Sequence, residues 1–157
     1  MEILLADKNK LIEVLYIIRV CSRQLIEKGV KYWNNSLADY NEISEDIANQ
    51  YVYLMVINRV TIGTVTIKPD KSTLKTTTIS RLAIFPPFQK RGFAPEVLKF
   101  AEDLAKKNGA TVLKGTTPID DKSLSQLLEE NGFVNHGIDG EVHEEFVRIK
   151  FEKKIVI

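Results

Sequence analysis

Leu82-Ala83-Ile84-Phe85-Pro86-Pro87-Phe88-Gln89-Lys90-Arg91-Gly92-Phe93-Ala94-Pro95 is the stretch that decides how this 157-residue chain is read. Alternating apolar residues run as a strand into a Pro-Pro break, and a short loop carrying Lys90 and Arg91 follows. Gly92 and Ala94 then open into an amphipathic segment. The first N–H groups of a helix have no internal partner, and the helix dipole places partial positive charge there. With two cations alongside, such a start suits a phosphate or pyrophosphate. Gly92 lets an anion approach the backbone closely and permits positive φ. Pro95 falls in the first helical turn, where a missing N–H costs little.

Working outward, Ile3 to Leu5 reads as a first strand, and Asp7 as the cap of a helix whose inner face is Leu11, Leu15, Ile18, Ser22 and Leu25. Gly29 stops that helix, and a second, more acidic one is expected from Ser36 to Ala48. Tyr51 to Ile57 and Val60 to Ile67 are β-branched and aromatic, and read as a hairpin turning at Asn58-Arg59. Thr76 to Phe85 is the next strand, after a polar excursion from Pro69 to Lys75. Val97, Leu98, Ala101, Leu104 and Ala105 share one stripe of a helix that ends at Asn108-Gly109, and Thr111 to Lys114 follows as a short strand. Strand, basic loop, helix and strand make a βαβ unit, so its two strands should be parallel. Asp120 to Glu130 reads as a further helix, with Phe133-Val134 and Val142 to Phe151 as closing strands. The expected fold is α/β, a single domain over residues 1–157, with a mixed sheet of six or seven strands flanked by helices on both faces.

Bulk properties narrow the function. A hydrophobic share of 44% and a charged share of 27% describe an ordinary globular chain. A net charge of +1, from 22 basic and 21 acidic residues that are interspersed, gives no electrostatic case for a nucleic-acid partner. The apolar runs fall far short of the ~20 residues a membrane helix needs. Asp7 to Lys10 interrupt the start, so no secretory leader is expected, and the cytoplasm is the expected compartment. The single cysteine, Cys21, cannot form an intrachain disulfide, has no metal-ligand cluster around it, and reads as a buried small residue. No G-x-x-x-x-G-K-[ST] or G-x-G-x-x-G pattern occurs, which disfavours a Walker loop or a dinucleotide fingerprint.

Gln89-x-x-Gly92-x-Ala94, after a strand ending Leu82-x-Ile84-x-Pro86, resembles the acyl-CoA-binding signature of the GCN5-related N-acetyltransferase (GNAT) superfamily. Asn131-Gly132-Phe133 resembles the Gly-Phe closing that family's last helix. Gly29-Val30-x-x-Trp33 with Ser44-Glu45-Asp46-Ile47 looks like the opening of one bacterial branch. The resemblance spans essentially the whole chain. It implies acetyl-CoA (coenzyme A) as cofactor, no metal, and an acetyl group moving to a primary amine, on a small molecule or peptide, by direct attack in a ternary complex. It also implies the binding residues: Leu82, Ala83, Ile84, Gln89, Lys90, Arg91, Gly92, Phe93, Ala94 and Asp121 for the cofactor. The Ile84 backbone N–H would polarise the thioester carbonyl. Trp33, Tyr40 and Glu42 would stand beside the acceptor. A homodimer is compatible with this reading.

Direct attack needs a neutral amine, a donor for the developing oxyanion and departure of a thiolate. Glu42, Glu45, His136 and Glu144 are the candidate bases. Counted back from Gly132-Phe133, the family's frequent tyrosine acid falls on Leu128 and its frequent asparagine on Asp121. Leucine donates no proton. That departure keeps open a second reading, a catalytically weak or inactive acyl-CoA-binding protein on the same fold. A third reading is an unrelated α/β domain holding phosphate or nucleotide at the Lys90–Ala94 loop.

Overall fold

The structure is a computed structural model that describes residues 1–30, 39–73, 75–139 and 147–156. Among the described residues, seven strands form one sheet in the order β1-β2-β3-β4-β5-β7-β6. They are β1 (Glu2–Leu5), β2 (Val52–Ile57), β3 (Val60–Pro69), β4 (Thr76–Ile84), β5 (Val112–Pro118), β6 (Val134–Ile138) and β7 (Arg148–Lys154). Every neighbouring pair is antiparallel except β4 and β5. That parallel pair is the one the βαβ reading expects, since a helix has to carry the chain back between them.

The α-helices among the described residues are α1 (Leu11–Glu27), α2 (Tyr40–Ala48), α3 (Phe93–Lys107) and α4 (Lys122–Glu130). One apolar cluster joins Leu15, Ile18 and Ile43 of α1 and α2 to Val52, Leu54 and Ala83 of the sheet. The second joins Val97, Leu98, Ala101 and Leu128 of α3 and α4 to Met55, Ile62, Val65, Leu113 and Phe151. Neighbouring strand residues point to opposite faces, so Leu54 and Met55 of β2 serve different clusters. Helices therefore cover both faces, as the sequence implies.

Several boundaries move. Asp7 accepts from the Asn9 N–H and caps a 3₁₀ turn, Lys8–Lys10, that leads into α1 instead of capping α1 itself. α2 begins at Tyr40 behind Asp39, whose carboxylate accepts from the Glu42 N–H, while positions 31–38 lie outside the described residues. β5 runs to Pro118 because β7 pairs along its whole length. The last strand is Arg148–Lys154 and runs past the expected end at Phe151, positions 142–146 of that expectation lie outside the described residues, and β6 extends to Ile138. Asn58 and Arg59 adopt φ of 48° and 68°. A type I′ hairpin turn demands left-handed backbone at both positions; Asn58 adopts it readily, whereas Arg59 is held there between the paired strands.

Candidate functional site

The site starts where β4 and β5 part. They pair only from Thr76↔Val112 to Ile79↔Gly115, although β4 continues to Ile84 and β5 to Pro118. A bulge in β4 accompanies the parting: between Thr66↔Ser80 and Thr64↔Ala83, Arg81 and Leu82 stand opposite Val65 alone. Arg81 has φ of 49°, and a bulge bends and twists the strand that carries it. Its guanidinium reaches α2, with Nη2 2.6 Å from Glu42 Oε2 and Nη1 3.2 Å from Asp46 Oδ2. Lys68 Nζ lies 3.0 Å from Asp46 Oδ1. Asp46 is buried, and these two cations compensate a carboxylate that would otherwise be costly to desolvate.

Beyond the bulge, Phe85 donates its N–H to Ile62 O at 2.7 Å and so faces β3. Backbone groups alternate sides along a strand, so Ile84 faces away from β3. Its carbonyl accepts from Gln89 Nε2 at 2.8 Å and from Cys21 Sγ at 3.2 Å. The Ile84 N–H shares that side of the strand and is directed to the opened edge.

Pro86–Phe88 forms a 3₁₀ turn, Lys90 has φ of 61°, and Gly92 caps α3 at φ of 83°. A Cβ placed on Gly92 would meet nothing within 4 Å, so open space lies beside this residue. Gln89 is fixed by a reciprocal amide pair: Gln24 Nε2 donates to Gln89 Oε1 at 3.0 Å, and Gln89 Nε2 donates to Gln24 Oε1 at 2.9 Å. This ties the loop to α1.

A groove of about 450 Å³ unites the opened strand and the helix start. It is lined by every cofactor residue expected from the sequence except Arg91. The Arg91 guanidinium instead stands 5.4 Å over the Phe88 ring. Asp121 lines the groove while its carboxylate caps α4, accepting from the Leu124 N–H at 3.1 Å. Leu124 and Leu127 of α4 form the far wall. An apolar trough ending at an uncovered helix N-terminus fits a ligand with a long neutral arm and an anionic head, which is the build of coenzyme A.

α1 supplies a wall that the sequence reading missed. Cys21, Gln24, Leu25 and Lys28 all line the groove. They recur at helical spacing, a signal legible in the sequence, but nothing local showed that this stripe faces the loop. Cys21 is buried, and burial pushes its thiol up to about 11, so it stays protonated near neutral pH and serves as a donor.

The acceptor candidates are scattered. Trp33 and Glu144 lie outside the described residues. Tyr40 opens α2 and is 55% exposed. Glu42 is bound to Arg81, and Glu45 is exposed on the same helix. His136 sits on β6 with Nε2 3.6 Å from Glu152 Oε2, and does not line the groove. Leu128 is buried in the α3–α4 core. Among the described residues no helix is long and apolar enough to cross a membrane.

Comparison with known proteins agrees with this geometry. The model of the acetyltransferase (GNAT) family matches residues 17–133. The Salmonella typhimurium protein yncA, solved with its cofactor acetyl-CoA, superposes with a TM-score of 0.79 at 17% identity, over 100% of this chain and 95% of that one. A GNAT-family acetyltransferase from Streptococcus agalactiae gives 0.80 at 18% identity, over 98% and 94%. The PaiA N-acetyltransferase of Thermoplasma acidophilum, in complex with coenzyme A, gives 0.80 at 16% identity, over 98% of each. No curated protein matches the sequence.

Proposed function

The chain belongs to the acetyltransferase (GNAT) family, and from that premise we propose that it works as a single domain, an N-acyltransferase that takes an acetyl group from acetyl-CoA to a primary amine. The observation that carries this is the groove joining the opened edge of β4 to the start of α3. When bound, the cofactor supplies an activated acyl thioester. The N–H groups at Gly92, Phe93 and Ala94, helped by Lys90, hold the pyrophosphate, and the backbone of Leu82, Ala83 and Ile84 holds the arm. The Ile84 N–H polarises the thioester oxygen, placing a donor where negative charge develops. Its orientation toward the opened edge supports that role.

Tyr40 and Glu42, at the start of α2, are assigned to the acceptor side. Support comes from Arg81, which ties Glu42 to the bulge where the strands part. A lysine-like amine has a pKa near 10.4 and must lose a proton before attack, which gives a nearby carboxylate a task. Leu128 cannot protonate the departing thiolate, so the thiolate leaves unaided. A thiol pKa near 8.5, taking cysteine as proxy, makes that tolerable. Loss of one acid typically costs about 10²- to 10⁴-fold.

Leu128 also favours a second reading, a binding protein on the same fold that senses acyl-CoA. Calorimetric titration with CoA, beside a thiol-release assay over polyamines, amino acids and peptide N-termini, separates the two. Binding with amine-dependent thiol release is expected. Binding with no release for any amine would establish the sensor, and no CoA binding would overturn both.

A further inference from the structure

A second, smaller cavity of about 80 Å³ lies behind the groove. It shares two walls with the groove, Leu82 and Leu124. Its floor is the last paired step of β4 and β5, Ile79 and Gly115. The remaining apolar walls include Leu98, Leu128 and Phe133, all buried. Ser80, Arg81 and Thr116 add polar groups.

Two residues keep this space open. Gly115 contributes no side chain, and a Cβ there would first meet Ile79 O and Leu128 Cδ1 at 4.0 Å, an ordinary contact. Leu128 is short where a larger residue would reach across. The cavity exceeds the ~30 Å³ that one water occupies in the liquid, and a methylene group is of similar size. Two or three such groups fit.

Resting on the reading above, we propose that this cavity is an acyl-chain pocket, and that beside acetyl-CoA the groove takes aliphatic acyl-CoA thioesters of three or four carbons, which it binds more tightly. An arm lying along β4 from Gly92 passes Ile84 and then Leu82, one of the two walls common to groove and cavity. A chain extending past the thioester enters the space under Leu128 and leaves water for apolar walls.

Binding alone tests this, with no acceptor required. CoA and its acetyl, propionyl, butyryl, hexanoyl and octanoyl thioesters are titrated calorimetrically into the full chain. Each methylene removed from water strengthens binding about fourfold, so butyryl-CoA is expected to bind roughly 15-fold tighter than acetyl-CoA. The gain should end at four carbons. Gly115→Val should erase the rise from acetyl to butyryl, and Gly115→Ala should reduce it. If the valine variant does not fold, the alanine variant carries the comparison. Butyryl-CoA binding no tighter than acetyl-CoA, or a chain-length profile untouched by Gly115→Ala, would overturn the pocket while leaving the parent reading intact. Failure of CoA itself to bind would instead remove the parent reading.

Discussion

Replacing Gly92 by alanine separates a cofactor role from a merely structural one. Gly92 has φ of 83°, and a Cβ on it meets nothing within 4 Å. The protein therefore offers no steric objection, and the structural cost is the backbone term alone. An L-residue held in the left-handed region loses about 1–2 kcal/mol. For a chain of this length that lowers Tm by about 2–8 °C. Gly109 is a matched control at the far end of the same helix, with φ of 85° and nothing within 4 Å of its Cβ. Gly109→Ala should lose a similar few degrees and keep its affinity for CoA. Gly92→Ala carries a second cost, because Gly92, unlike Gly109, lines the groove beside the start of α3, where the added methyl crowds an anion approaching the backbone. Losing one hydrogen bond to a charged group is worth about 1.5–3 kcal/mol, or about 10- to 150-fold in Kd. Calorimetric titration of CoA into both folded variants, beside thermal melts, gives the answer. Equal melting losses with CoA affinity retained within twofold in Gly92→Ala would refute the assignment of this helix start to the pyrophosphate.

Three further outcomes follow from the same geometry. Lys90 lines the groove while Arg91 stands over Phe88, so Lys90→Ala should weaken CoA binding and flatten its salt dependence more than Arg91→Ala does; the reverse order would move the anion to the other side of the loop. Gln24→Leu strands the Gln89 carbonyl and should cost about 1–3 kcal/mol in stability, with a loss of CoA affinity although Gln24 lies outside the signature; unchanged affinity would show that the amide pair does not set the loop. Cys21 is pushed up from 9.0 to about 11 by burial, so the folded state holds its proton where the unfolded state loses it. Stability from this group is intact below about pH 9 and falls as pH rises toward about 11, by roughly 2–3 kcal/mol at most. Chemical denaturation across that window should show a shallower decline in Cys21→Ala, and identical slopes would mean the thiol is accessible to solvent.

Much of this molecule is legible along the chain because its signals are local. The alternation at Leu82 to Ile84, the Pro-Pro break and the glycine before an amphipathic run each concern residues within one or two turns of one another. They specify the βαβ unit, its parallel pair and a helix start suited to an anion. Composition sets the globular class on the same terms. Tertiary structure alone decided the rest, because it joins segments distant in sequence. The parting of β4 and β5 after Ile79 and Gly115 goes with a bulge facing Val65, on a strand fifteen or more residues earlier. That Gln89 is gripped by Gln24, and Ile84 O by Cys21, depends on α1 lying across the loop from more than 60 positions away. Glu42 reads from the sequence as a candidate base beside the acceptor, and only the fold pairs it with Arg81. Leu128 reads as a missing acid, and packing turns the same short side chain into one wall of a cavity. Hydrophobic periodicity says which face of an element is buried, but not which element it is buried against, and the site is made of those encounters.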